Sequence, residues 1–595
     1  MNKQKKRSEI SDKYKWDLTT IYESDDEFYK EYEVVAKMIQ DLKIDKVFEN
    51  GKSLYEFLKS SDEIDVLIDK LYTYAHLNHD SDTTISLYDE MVKRIHNLYY
   101  EMSKKNSFFE PSLLKLNYAE IEKFYQEFPK LKEYEILLKE LFRYKKHVLN
   151  ESEEKLIAEL AKSLKSSSET YSKLTDTDMT FGNIKDENGK TTELTESNFT
   201  TFLQSRKRSV RKSAFKKLLK KYGEFDHTIA STYSGYVNSL NALSNIYKYK
   251  NPIEKALFND EIETDVYDSL IETVNENLGV IYRYYDFRNK HLGLKKSHIY
   301  DTYVELTNGK GRNYTFEEAE KIVIDALSVL GNDYVEVLKR AFDEHWIDVY
   351  NNKGKRGGAY SSGSYLTNPF LLLNYEGKYN DISTLAHELG HSMHSYYANS
   401  NNSYIYSNYQ IFVAEIASTV NEMILANYML DHGDALTKKI VINNLLGLFK
   451  ATIYRQTMFA EFEKNMVLAS KDGQILTSDY LEQNYYALVQ KYFGNNVIID
   501  DEIKYEWARI PHFYYNFYVY KYATGLSIAS YIVSEILNGN KEMLKNYREF
   551  LKIGGKMNPK EALMTMNIDI TKKEVVLSAI KMFDDYITKA EKILS

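Results

Sequence analysis

The 595-residue sequence contains no cysteine. Disulfides, thiolate nucleophiles and cysteine-ligated metals are therefore excluded, and any zinc must be held by His, Asp or Glu. The same absence suits a reducing cytoplasm, the expected location. Proline is scarce, at six, and there are only 24 glycines. So few breakers favour long helices. No apolar run reaches the length of a bilayer span, so no transmembrane helix is expected. The opening MNKQKKRSEISDKYKWDL has a basic start without an apolar stretch behind it, and is not read as a secretory signal. Basic residues are not in excess: 78 Lys and Arg against 87 Asp and Glu leave a net charge of −9. That balance offers no general field for nucleic acid or an anionic membrane, and neither is expected as a partner. No solenoid repeat or long low-complexity tract is present. No feature specifies an oligomeric state.

What is there describes a water-soluble protein with a large core: 43% hydrophobic and 28% charged residues. Tyrosine is abundant, at 53, so any single tyrosine is more readily a packing residue than a functional one. Most of the chain has helical periodicity. Asn150, a plausible N-cap with Glu153 three residues on, precedes a stripe of Leu156, Ile157, Leu160, Ala161 and Leu164 that is expected to be buried. Two breaks interrupt the helices. In residues 176–195, Asn188-Gly189 between strand-like runs predicts a β-hairpin. In residues 351–374, a loop around Gly357-Gly358 leads to an exposed strand within 359–366. Phe370–Tyr375 follows as a short buried strand. A helix is expected from about Asp381, and 399–409 is expected to be a loop. The reading divides the chain into a helical region 1–115, a helical region with the hairpin at 116–200, and a catalytic region 201–595.

His387-Glu388-Leu389-Gly390-His391 forms an H-E-x-x-H motif. With so few histidines in the chain, 13, accidental matches are expected at about a few per cent. On a helix, positions i and i+4 share a face, so both imidazoles can address one cation while Glu388 projects beside a metal-bound water. A catalytic site needs a third protein ligand and one open position. Glu415 is the next acidic residue after His391. It opens a strongly apolar helical run from Ile411, where a buried carboxylate would need a cation as partner. A surface charge or a first-turn helix cap is the alternative. His394 lies near the same face, but three imidazoles from one straight helix do not readily close on one ion. The metzincin spacing fails as well. Glu422, Ser418 or Thr419 can supply the hydrogen bond that a ligating imidazole usually makes through its other nitrogen.

Such a site activates a water, with Glu388 taking its proton and passing it to the leaving amine. The developing oxyanion needs a donor besides the metal. The segment Arg509–Tyr522 carries His512 with Tyr514, Tyr515, Tyr520 and Tyr522. It is read either as that donor set or as an aromatic helix of the core.

With these segments in hand, the chain resembles oligoendopeptidase F, of the thimet-oligopeptidase class of zinc metallopeptidases. Lys355-Arg356-Gly357-Gly358-Ala359-Tyr360-Ser361, Thr384–His394 and Phe412–Ser418 carry most of the resemblance. Trp16-Asp17-Leu18, Tyr74-Ala75 with Asp80, Asp82 and Thr83, and Pro511–Tyr520 add to it. The resemblance implies a mainly α fold, gluzincin-like, with two helical halves around a deep channel and a small β-sheet beside the motif helix. It implies one Zn2+ per chain, bound by His387, His391 and Glu415, with Glu388 as general base. It implies His512 with Tyr515 or Tyr520 as oxyanion donors, and Gly358, Ala359, Tyr360 and Ser361 pairing with the substrate backbone. The implied activity is hydrolysis of internal bonds in short unstructured oligopeptides. A zinc carboxypeptidase or dipeptidase on a similar scaffold, and an inert helical peptide-binding protein, are the alternatives. Retention of Glu388 speaks against the last.

Overall fold

A computed structural model describes residues 4–309 and 311–595. The fold is mainly α, with only short strands. The chain forms two compact units, each assembled from three separate segments. The first comprises Met1–Lys146, Arg312–Asn427 and Glu535–Met566; the second comprises His147–Gly311, Tyr428–Ser534 and Asn567–Ser595.

In the first unit, the long helix Gly51–Ser81 packs with Asp25–Asp41 and Ser86–Asn106. Its buried positions Leu54, Leu58, Ile68, Leu71 and Ala75 recur at helical spacing. A three-stranded sheet lies beside helix Tyr379–Asn401. Its central strand, Phe370–Leu372, is wholly buried, as its unbroken apolar run requires. It pairs in parallel with Ile347–Asp348 and antiparallel with Tyr360–Ser362, in the register Tyr360 to Leu372 and Ser362 to Phe370. Tyr360–Ser362 is therefore an edge strand, shorter than the expected 359–366.

Helix Tyr379–Asn401 begins two residues before the expected start, because Asp381 caps it: its carboxylate accepts the Lys378 backbone N–H at 2.7 Å. Ile382, Leu385, Ala386, Leu389 and Met393 are buried along it. The helix runs into the expected loop, and Tyr404–Tyr406 adds a 3-10 turn.

The second unit is also helical, with Asp226–Ile246, Gln456–Lys471, Ser478–Phe493 and Lys573–Ile593 among its elements. The expected hairpin is present: Asn183–Lys185 pairs antiparallel with Thr191–Glu193. The Asp186 carboxylate accepts the N–H groups of Asn188 and Lys190, while Gly189 supplies φ +81°. Helix Glu151–Lys173 starts on the expected Asn150–Glu153 capping box. Its apolar stripe, however, is not buried: Leu156 is 58% exposed and Leu160 44%. The helix is seated through its later turns instead. Ser167 lies over Gly235, where an added Cβ would come within 2.7 Å of its hydroxyl, and Tyr171 stacks on Tyr514.

Candidate metal centre

His387 and His391 lie one turn apart on helix Tyr379–Asn401, with ring centroids 5.0 Å apart. Glu415 comes from the first turns of helix Ile411–His432. Its Oε2 stands 3.4 Å from His387 Nε2 and 3.5 Å from His391 Nε2. One ligand atom from each of the three residues falls within 4.8 Å of the other two. Donors about 2.1 Å from a tetrahedral ion stand about 3.4 Å apart, so the set fits a divalent cation. The Glu415 carboxylate is 58% exposed, not buried as its apolar helix suggested.

The electrostatics point the same way. Burial works against a charge on His387, yet the hydrogen bonds it donates to the Glu415 and Glu422 carboxylates overcome this and raise the imidazole to about 10. The imidazoles hold Glu415 well below the usual carboxylate range. The carboxylates ask for positive charge at this spot. A cation supplies it while leaving the imidazoles neutral, so metal and protons compete.

Glu388 is buried beside His387 and His391, and burial raises its carboxyl. The Ser361 backbone N–H draws it the other way. Ser361 thus ties the edge strand to the motif helix, and its hydroxyl also bonds to that of Ser392 at 2.8 Å. Further contacts fix the strand. The Tyr360 hydroxyl donates to Asp80 at 3.0 Å, Ser362 Oγ meets His76 Nε2 at 3.0 Å, and Asn374 Nδ2 donates to the Gly358 carbonyl at 2.7 Å. Gly358 adopts φ +86° just before Ala359, turning the chain into the strand.

In the second unit, His512 sits in the 3-10 turn Pro511–Tyr514, and burial lowers its imidazole. Its ring is 5.4 Å from Tyr515 and 6.0 Å from Tyr522. Tyr515 is 55% exposed; Tyr520 is 1% exposed and packs on Tyr267 at 5.2 Å. The segment is no continuous aromatic helix: Asn516 and Phe517 have positive φ, and the helix begins only at Tyr520.

Comparison with known proteins bears on the family. The model of peptidase family M3 matches residues 201–582, and that of oligopeptidase F matches 112–181. The chain belongs to peptidase family M3. The M3 chain is 41% identical to the oligopeptidase PepF of Bacillus subtilis, over 99% of its own length and 88% of the relative's. It is 36% identical to a plasmid-borne oligoendopeptidase F of Lactococcus lactis, over 99% of both chains. The crystal structure of oligoendopeptidase F from Enterococcus faecium superposes with a TM-score of 0.72 at 32% identity, covering 96% of this chain and 99% of that one. The expected likeness to oligoendopeptidase F therefore holds, and the chain is a metallopeptidase of the oligopeptidase type.

Three features of the M3 site were not singled out, or not resolved, in the sequence. Gly390, between the ligands, lets the two helices touch: a Cβ there would lie 2.5 Å from Ser418 Cα and 2.6 Å from the Ala417 carbonyl oxygen. Asn421 bridges the same helices. It donates to the Ala386 carbonyl at 3.2 Å and accepts from the Tyr334 hydroxyl at 2.9 Å. Among Ser418, Thr419 and Glu422, it is Glu422 that meets an imidazole. Its Oε2 is 3.3 Å from His387 Nδ1, while Oε1 accepts from Ser383 Oγ at 3.0 Å. A carboxylate only accepts, so Nδ1 carries the proton and Nε2 is free for a metal. Ser418 instead bonds to Glu415 Oε2 at 3.1 Å. His394 is a core residue, stacked on Tyr409 at 3.6 Å.

Among the described residues no helix is long and apolar enough to cross a membrane.

Proposed function

We propose that the chain is a cytoplasmic zinc endopeptidase that hydrolyses internal bonds of short, unstructured oligopeptides. The observation that carries this reading is the convergence of His387 Nε2, His391 Nε2 and Glu415 Oε2. Two imidazoles and one carboxylate are a catalytic zinc set that leaves a coordination position open. Zinc, when bound, lowers the pKa of a water and polarises a carbonyl.

The chain's own residues do the rest. Glu388 takes the proton of the attacking water and delivers it to the leaving amine. Glu422 fixes the His387 tautomer. Gly358–Ser361, which turns into the edge strand Tyr360–Ser362, meets the substrate main chain, a recognition mode that tolerates many side chains. His512 and Tyr515 donate hydrogen bonds to the oxyanion without adding formal charge. Tyr515 is favoured over Tyr520 by its exposure beside His512; Tyr520 packs beneath the segment.

The test is digestion of end-blocked, internally quenched peptides with chelator, and again after zinc is restored. Cleavage that stops on chelation and returns with zinc is expected. Activity only on peptides with a free terminus would replace this reading by an exopeptidase. Activity indifferent to chelator would end it.

A further inference from the structure

Glu463 is a buried acid that the chemistry above does not use. It lies on helix Gln456–Lys471 and is 1% exposed. Burial pushes its carboxyl up to about 8, against the pull of the Phe517 N–H, so it is protonated near neutral pH. Tyr233, Tyr236 and Tyr267 are near enough to feel its charge. Its Oε1 accepts the Phe517 backbone N–H at 2.8 Å, and Oε2 has no hydrogen-bond partner. A carboxyl with one hydrogen bond is costly to bury, where an apolar side chain would carry no such cost.

The bond it makes is at an unusual place. Asn516 and Phe517 both adopt left-handed backbone, φ +51° and +61°. Asn tolerates this, but for Phe it is strained and must be held by its surroundings. Each of the two N–H groups is anchored on a different helix: Asn516 to Tyr236 Oη at 2.9 Å, and Phe517 to Glu463. Just upstream, the Tyr514 hydroxyl bonds to Thr232 at 2.8 Å. Between these anchors stands Tyr515, exposed beside His512.

We infer that Glu463 is a positioning residue, whose Oε1 clamps the left-handed Asn516–Phe517 kink and thereby sets Tyr515 and His512 for the oxyanion. The inference rests on the proposed roles of those two residues. It makes the acceptor oxygen, not the acidity, the functional part of Glu463. Glu463→Gln keeps a carbonyl oxygen at that place; Glu463→Met fills the space and removes it. Tyr236→Phe removes the second anchor with little loss of packing.

The experiment measures kcat and KM on one quenched peptide, with zinc content and melting temperature, for E463Q, E463M, Y236F, Y515F, H512A and the double variant E463M/Y515F. Misplacing a catalytic group by about 1 Å costs on the order of a hundredfold. E463M is therefore expected to lose roughly 10- to 100-fold in kcat, with KM within about threefold and zinc unchanged. Y236F loses less, and E463Q stays within about twofold of wild type. The double variant loses less than the product of the two single losses, since part of the effect of E463M runs through Tyr515. If E463M and Y236F match wild type while Y515F and H512A are slow, the inference fails and the oxyanion roles stand. Equal damage from Gln and Met also overturns it. Wild-type rates in both Y515F and H512A overturn the oxyanion reading and this inference together. Should E463M not fold, Y236F decides: a wild-type kcat there is fatal.

Discussion

The proposed chemistry concentrates in two carboxylates whose environments differ. Glu388 is buried between two ligands, whereas Glu415 is more than half exposed and faces both imidazoles. In the proposed mechanism Glu388 moves the proton while Glu415 holds the metal. Glu388→Gln is therefore expected to bind zinc at one per chain and to lose about 10²- to 10⁴-fold in kcat. Metal analysis beside steady-state kinetics checks it, and an unchanged rate would remove the general base from the mechanism. Glu422 belongs to the same scale. It holds Nδ1 of His387, and loss of such a partner commonly costs about 10- to 100-fold in metal affinity. Glu422→Ala should weaken zinc by that factor in competition with a chelating dye, while a saturating zinc concentration restores most of the rate.

At the scale of elements, the site is the crossing of helices Tyr379–Asn401 and Ile411–His432. Gly390 permits that crossing, and Asn421 pins it. Gly390→Ala would place a Cβ against backbone, which cannot swing aside as a side chain does. The expected cost is about 1–3 kcal/mol of stability together with weaker zinc binding, because the Glu415 helix must retreat. Thermal melting with and without zinc reads both effects, and a wild-type zinc affinity would show that the close approach does not matter. This crossing marks what was legible in the sequence. The motif helix, the central strand Phe370–Leu372 and the Asn188-Gly189 hairpin follow from local periodicity and turn chemistry. The three candidate ligands follow from spacing and from the scarcity of acids after His391. Gly390 carries no signal within the pentapeptide, because its meaning lies in a backbone 28 residues further on. The stripe from Leu156 to Leu164 misled for the converse reason. Periodicity shows that a helix has an apolar face, not that anything covers it. Likewise the kink at Asn516 and Phe517 carries no glycine to announce it.

Across the whole molecule, buried titratable groups set how stability depends on pH. Burial raises Glu463 to about 8, Asp65 to about 7 and Asp62 to about 6. Each is protonated in the folded chain over a range where the unfolded chain has lost its proton. From about pH 4.5 upward the unfolded state therefore binds fewer protons, and stability falls as pH rises through the folded values. His394, His76 and His512 give the opposite slope, whereas His387, raised in the metal-free site, adds to the alkaline decline. Burial lowers His394 to about 3, and His76 and His512 shift the same way, so these rings stay neutral when folded. Their contribution is lost as pH falls below about 6.5, where the unfolded imidazoles take up protons. The two slopes meet near neutrality on its acid side. The melting temperature of the chelated protein should peak at about pH 6 and decline toward both 4 and 9. Glu463 alone contributes up to about 1.4 kcal/mol per pH unit while only the folded form holds its proton. E463Q cannot lose a proton, so its alkaline decline must be shallower than that of wild type and its rise between about pH 4.5 and 6 steeper. A wild-type melting temperature that keeps climbing from pH 7 to 9, or an E463Q curve parallel to it, would mean that Glu463 is already ionised in the folded chain. The Phe517 N–H would then be bonded to a carboxylate, and Gln could no longer stand in for it.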